Sequence, residues 1–486
     1  VAYVRSPMPH ALIEGIDTSE ALDMPGVVGV WTGADVDLDE REPMALFNAL
    51  MTRPRIAKDR VRYAGEIVAI VAAETQAQAV DATEMVVVDY VGLDAVTDPE
   101  AAMVDGAPIL HPVVGNNIAA TFPNETPGDP FTDSAVVVEQ RIINQRLAVC
   151  PLETRGVLAS WTDGKLTTWS STQNAHGTRT GVGVVFGLDD EHIRVIAPDV
   201  GGGFGAKNGQ YPPEILCMWV ARALDRPAMW QETRSESMVD LGHGRGQVQY
   251  TTIGGDREGN IDAFHLEVVQ DAGAYPEIGA VLPMFTRKMA SGVYSIPSVT
   301  FESNSVVTNT CPTAAYRGAG RPEATAAIER AIDVYAAEIG MSPVDVRRKN
   351  LIAPDAFPYT TAIGTTYDTG NYEEALDRAL AGAGYDELRT EQARRREAGG
   401  HRQLGIGVST YVEITNPVLD KEFGSIELLA DGKALVRTGS SAHGQGHHTT
   451  FAMIASELTG IAIDDIEVRH GDTDDVPQGW GTGGSK

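Results

Sequence analysis

Three short stretches carry residue types whose spacing could do chemistry. The first is Asp199–Lys207, DVGGGFGAK, with four glycines in five positions and one aromatic, Phe204, among them. Glycine lets another group approach the main chain closely, and a turn of this kind can aim successive N–H groups at an anion. The second is Ala314–Arg321, AAYRGAGR, in which Arg317 and Arg321 offer guanidinium groups able to grip an anion bidentately. The third is Ser441–Thr450, SAHGQGHHTT, where glycines and Gln445 run into a helical pattern whose N-terminus favours negative charge. His443, His447 and His448 have no acid or cysteine nearby, so this set is weak for zinc and better suited to hydrogen bonding.

Gly201, Gly203 and Ala206 match a dinucleotide fingerprint in form. That fingerprint needs a helix to begin inside the loop, and Asn208–Pro213 stands in the way. No Gly-Lys-Ser/Thr follows, which excludes a P-loop. A tight glycine turn with Phe204 packed in the core is the plain alternative. Taken together, the three loops suit one large anionic ligand with many acceptors better than a small metabolite.

Elements must position these loops. The 486 residues, 43% hydrophobic and 22% charged, suffice for about three domains. The net charge of −29 repels phosphate backbones and anionic lipid, so nucleic acid and membrane surfaces are poor partners. Cys150, Cys217 and Cys311 are far apart, which excludes an iron–sulfur ligand set within this chain and fits a reducing cytoplasm. No apolar run is long enough for a membrane span.

Residues 1–95 read as a small domain of strands with one helix, at 75–86. Residues 96–134, rich in Pro, Asp, Asn and Gly, read as an extended linker. Strand patterns return from 135, with strands turning at Thr162-Asp163-Gly164 and a strand, HIRVIAPDV, feeding the first glycine loop. Helices are expected at 213–224, with Pro at its start, and at 321–340, stopped by Gly340. Ser342 and Asp345 form a capping-box pattern at the start of the next helix. The charged helical stretch ending at Gly399-Gly400 suggests a boundary between 135–398 and 399–486, the latter opening with a strand-like GIGVSTYVEI.

In order along the chain, VRYAGEIVAIVAAETQAQAVDATEMVVVDYVGLDAV, PLETRGVLA, STQNAHGTR, GGGFGAK, AYRGAGRPEA, GQGHHTTFA and GDTDDVPQGWGTGGSK resemble the molybdenum-binding large subunit of the xanthine dehydrogenase, aldehyde oxidase and aerobic carbon monoxide dehydrogenase family. The resemblance runs nearly end to end. It implies an α+β fold: an N-terminal α/β hammerhead domain followed by α+β molybdopterin-binding domains, the last of them incomplete here. It implies a molybdopterin cytosine dinucleotide carrying molybdenum with oxo and sulfido ligands, and hydroxylation of an aldehyde or N-heteroaromatic carbon with water as oxygen source. FAD and 2Fe-2S clusters would sit on partner subunits, a medium and a small one, in a dimer of heterotrimers in the cytoplasm.

By motif matching, Gln173 would bond the apical oxo group, while Gly203, Phe204 and Gly205 would bring main chain and an aromatic wall to the metal. Arg317 and Gly318 would lie beside the metal and pterin. Gly444, Gln445, Gly446, His447, Thr449 and Thr450 would hold pterin and phosphate. Phe204 and Asn208 would shape the substrate pocket, with parts of 281–290 and 413–424. The metal itself would be held by the pterin dithiolene and by no side chain.

The pattern departs from the family in three places. Carbon monoxide dehydrogenases proper carry AYRCSFR, whose cysteine holds copper; this chain has Gly318 there, which speaks against that branch. Xanthine-oxidising members have Glu after the loop lysine, where this chain has Asn208. The family's Gly-Val-Gly-Glu stretch with the catalytic Glu is not found, so the base is expected beyond residue 486, on a missing C-terminal part that could be another chain, and this polypeptide by itself is expected to be inactive. Alternatives are a carbon monoxide dehydrogenase, a non-catalytic cofactor-binding fragment or assembly partner, and a nicotinamide-dependent dehydrogenase with a helix starting near Gly203.

Overall fold

The first ninety-odd residues form two small sheets. Strands Ala2–Arg5, Ile67–Ala73 and Val27–Thr32 make one, and Arg60–Val61, Ala11–Asp17 and Val87–Gly92 the other. Helix Gln76–Thr83 closes the first sheet by burying Ala79 and Ala82 beside Ala69 and Val71. Val80 in this helix and Met85 just beyond its end stay exposed, so the buried stripe is narrow. The computed structural model describes residues 1–124, 128–415 and 421–484 of this α+β chain.

A four-stranded sheet comes next, in the order Ile193–Ile196, Lys165–Ser170, Gly156–Thr162, Ala228–Gln231. The expected turn forms as a hairpin with Asp163 and Gly164 both at positive φ, the geometry that matches strand twist. Helices Ala175–Phe186 and Pro212–Leu224 share its core, where Ile215 to Ala221 are buried without a break. A helix apolar all round is one enclosed on all sides, and this one packs between the four-stranded sheet and the N-terminal domain.

The largest sheet has five strands, in the order Ile118–Phe122, Ser298–Val307, Ile261–Gly273, Gln247–Gly255, Val136–Asn144. Helix Arg321–Glu338 buries Ala327, Ile328, Ala331, Ile332 and Tyr335 in the core it shares with that sheet. One expectation needs correction here. The tract 96–134 contains the short helical turn Ala101–Met103 and supplies the edge strand Ile118–Phe122, antiparallel to Ser298–Val307. Its Pro and Gly punctuation hides a strand whose partner lies far along the chain. Buried Asn117 organises the approach, donating to the carbonyls of Ala102 and Pro108 and accepting from Leu110 N.

Helices Tyr372–Ala383 and Tyr385–Ala398 break at Gly384. The strand expected at GIGVSTYVEI does not form. Exposure alternates along 404–415 as in a strand, yet the backbone finds no ladder partner among the described residues. The capping box at Ser342 is also incomplete: its hydroxyl caps Val344 N, with no return bond from Asp345. A last sheet of Gly424–Leu428, Ala434–Thr438 and Ile466–Arg469 carries helix His447–Thr459.

A buried charge network ties the N-terminal domain to the second. The Asp240 carboxylate accepts from Tyr63 at 2.8 Å and Arg155 at 3.0 Å, and pairs with Arg5 at 3.3 Å. Although burial opposes ionisation, these cations hold its pKa far below the usual carboxylate range.

Candidate functional site

Strand Ile193–Ile196 delivers the chain into the first glycine loop, and the loop ends where helix Pro212–Leu224 begins. That helix starts well after Gly203, which removes the dinucleotide reading of the fingerprint. Gln173 holds the loop from below. It is buried, stands just before helix Ala175–Phe186, and its Oε1 accepts from Gly205 N at 2.9 Å and Lys207 N at 3.2 Å. Its backbone N donates to Lys207 O, and its Nε2 donates to Thr482 O at 2.9 Å. One glutamine therefore fastens the loop to the C-terminal segment. Glycine at 203 is required by this approach: a Cβ there would stand 2.3 Å from Gln173 Oε1.

With Gly205 and Lys207 amides bound to Gln173, and Gly201 N bound to Glu153 Oε2 at 2.7 Å, two neighbouring N–H groups are left over. Gly203 N and Phe204 N meet no acceptor among the described residues. Phe204 takes a left-handed φ of 56° and its ring is exposed. Adjacent N–H groups in such a turn make a concave anion site. The second loop meets the first edge to edge, as Arg317 N donates to Phe204 O at 2.8 Å. The Arg317 side chain is exposed and has no hydrogen bond or ion pair among the described residues. Its carbonyl accepts from Arg245, which fixes the turn at Gly318. Arg321 does not join it. That residue is buried and pairs with Glu413 at 2.8 Å, so the two-arginine grip is replaced by a single free guanidinium.

The third loop reaches the same place through His443. Gln173 Nε2 lies 3.4 Å from His443 Nε2, and Gln445 Nε2 lies 3.3 Å from that same nitrogen. Ser441 Oγ donates to Gln173 O and Thr482 Oγ1 to Ser441 O, closing the connection. Gly444 and Gly446 are exposed at positive φ, and Gly446 caps helix His447–Thr459. Thr449 and Thr450 lie exposed in its first turn, with the Thr450 hydroxyl turned to Gly446 O. The His447 ring stacks on Phe451, and His448 packs on His470 at 4.5 Å rather than joining His443 and His447 around a metal. The one compact trio of potential metal ligands among the described residues is Asp189, Glu191 and His192, all exposed elsewhere. Both ring nitrogens of His470 are buried with no hydrogen-bond partner among the described residues. Burial pushes the His443 and His470 imidazoles down to about 4.

Asn208 departs from Phe204. It is exposed and lines a different cleft of about 600 Å³, with Asn174, Gly181 and Gln210. Part of the 413–424 stretch, residues 416–420, lies outside the described residues. Glu153, Lys207, Ser441 and Thr482 were not singled out from sequence as parts of the site, whereas His443 was read as suited to hydrogen bonding and makes its contacts here. The signal for Glu153 and Thr482 lay in the PLETRG and GTGGSK motifs. That for Lys207 and Ser441 lay in their places inside the loops.

Among the described residues, two bare amides, an unpaired guanidinium, a helix N-terminus and the unpartnered ring nitrogens of His470 fit a large anionic group with many acceptors. Comparison with known proteins agrees. Residues 110–351 and 378–486 match molybdopterin cofactor-binding domains, and residues 1–94 match the aldehyde oxidase and xanthine dehydrogenase a/b hammerhead domain. The nicotine 6-hydroxylase large subunit of Paenarthrobacter nicotinovorans is 34% identical over all of this chain and 62% of its own length. The carbon monoxide dehydrogenase large chain of Afipia carboxidovorans is 34% identical over all of this chain and 64% of its own. Quinoline 2-oxidoreductase from Pseudomonas putida 86 superimposes with a TM-score of 0.92 at 33% identity, over 99% of this chain and 64% of that one. The chain belongs to the molybdenum-binding large-subunit family of xanthine and carbon monoxide dehydrogenases. It spans 62–64% of the length of these relatives.

Proposed function

We propose that this chain forms the cofactor-holding part of a molybdenum hydroxylase large subunit. The observation that carries this reading is the pair of acceptor-free amides at Gly203 and Phe204, held in place by Gln173. The cofactor is a molybdopterin cytosine dinucleotide, which when bound supplies two-electron oxidation with water as the oxygen source. Gly203 N and Phe204 N would donate to its metal-side acceptors, as would the Gln173 Nε2 proton not spent on Thr482, in place of its long 3.4 Å contact with His443 Nε2. Arg317 would neutralise anionic charge beside the pterin. Gln445, His447 and the amides opening helix His447–Thr459 would hold pterin and phosphate, where the helix dipole assists. The Phe204 ring would wall the substrate side and exclude water. Gly205, Gly318, Gly444 and Gly446 would keep side chains out of the turns, and Thr449 and Thr450 would line the phosphate end. No residue of this chain is assigned as the base.

The substrate class is an aldehyde or an N-heteroaromatic carbon, and electrons leave through 2Fe-2S and FAD partner subunits. Carbon monoxide is the second reading, supported by the likeness to two carbon monoxide dehydrogenase large chains. Gly318 argues against it, since φ is 95° there and a Cβ would stand 2.4 Å from Pro322 Cγ. A copper-holding cysteine would need a different turn.

The test is to isolate the complex from its native host, measure molybdenum and pterin, and screen aldehydes, N-heteroaromatics and carbon monoxide with a dye acceptor. Stoichiometric molybdenum with turnover of the first two classes supports the reading. A complex without molybdenum or pterin overturns it, and carbon monoxide oxidation would overturn the substrate class.

A further inference from the structure

We propose that the ion pair of buried Lys207 with half-buried Glu153 is a positioning and charge-setting device behind the glycine loop; this rests on the cofactor reading above. The Lys207 side chain is wholly buried, and its Nζ lies 2.7 Å from Glu153 Oε2. The same oxygen accepts from Gly201 N, and Glu153 N donates to Gly201 O. The other carboxylate oxygen accepts from Ser171, two residues before Gln173. One carboxylate therefore bridges the start of the loop, its end, and the segment that carries the glutamine beneath it.

The loop needs such a latch. Phe204 sits in the left-handed region, which a non-glycine residue enters only against steric resistance, and must be over-determined by its surroundings to stay there. Gln173 holds the loop at 205 and 207, while Glu153 holds it at 201 and 207. The two free amides lie between these clamps.

A latch alone could be built from neutral groups. Here a cation is buried instead, against the opposing pull of desolvation. Burial lowers the Lys207 pKa and Glu153 raises it, with weaker support from Glu232 and Glu214. Protonation of His443 is disfavoured by burial first, then by His447 and, more weakly, by Lys207. A fixed positive charge behind two outward N–H groups adds to their dipoles and strengthens the hold on an anion in front of them.

The native complex, prepared as wild type, Lys207→Met, Glu153→Gln and the double variant, tests this. Each is followed for molybdenum and pterin content during dialysis, and for the thermal midpoint of the cofactor-stripped form. Lys207→Met keeps most of the apolar stem without the ammonium and should leave the stripped midpoint near wild type, while cofactor dissociates roughly tenfold faster. Glu153→Gln should also lose cofactor faster than wild type, because the start and end of the loop no longer share one carboxylate. The double variant should be no worse than the more affected single variant, since both act through one contact. Retention as in wild type, or loss that merely tracks the stripped midpoint, would overturn the proposal. A wild-type complex lacking molybdenum and pterin would instead overturn the parent reading, and this with it.

Discussion

Replacing Gln173 by Leu isolates the clamp on the glycine loop. Leucine is close in volume, so packing changes little, while three hydrogen bonds vanish, from Gly205 N, from Lys207 N and to Thr482 O, together with the longer 3.4 Å contact to His443 Nε2. Stranding a buried donor costs about 1–3 kcal/mol, and losing an ordinary bond about 1 kcal/mol. Lys207 is buried and pays in full, whereas Gly205 is half-buried and can borrow water. A local loss of about 3 kcal/mol follows, which is roughly a hundredfold in an opening equilibrium. Hydrogen exchange followed by mass spectrometry reads it directly: a peptide spanning 201–208 should exchange roughly a hundredfold faster. Gln173→Glu provides the contrast. It keeps an acceptor for both amides but turns a carboxylate oxygen on Thr482 O, so protection should be lost near 481–484 and kept at 201–208. Unchanged exchange at 201–208 in Gln173→Leu would refute the clamp.

Other expectations concern the rest of the frame. Asp240→Ala leaves the buried cations Arg5 and Arg155 without their shared carboxylate, and should cost about 3–5 kcal/mol in chemical denaturation. Gly318→Cys forces a side chain into a positive φ against Pro322, and should lower stability by about 1–3 kcal/mol without creating carbon monoxide oxidation. His443 and His470 have folded pKa values of about 4, below the ordinary 6.5. The unfolded chain therefore binds more protons between those limits, and their contribution is complete above about pH 6.5 and lost as pH falls toward 4. The wild-type melting temperature should accordingly drop more steeply over that range than that of His470→Leu, and parallel declines would contradict the assignment.

Much of the frame was legible locally. Pro at 212 and 213, Gly340, and the Asp163-Gly164 turn each act through their own backbone, so helix start, helix stop and turn followed from residue type. What failed was non-local. The strand at 118–122 is invisible until Ser298–Val307 stands beside it, and 404–415 has strand alternation with no partner strand among the described residues. Arg321 resembles Arg317 in sequence, yet Glu413 claims it.

The sequence by itself determined that three glycine-rich loops end in main-chain donors, because glycine content and helix starts are local properties. It also determined the family, through the order of its motifs. Only the tertiary structure decided which amides remain free. Gln173 and Glu153 take the acceptor role at Gly201, Gly205 and Lys207, and what they leave is Gly203 and Phe204. Hydrogen-bond capacity is finite, so which donors stay open depends on which distant side chains arrive, and that is settled by packing.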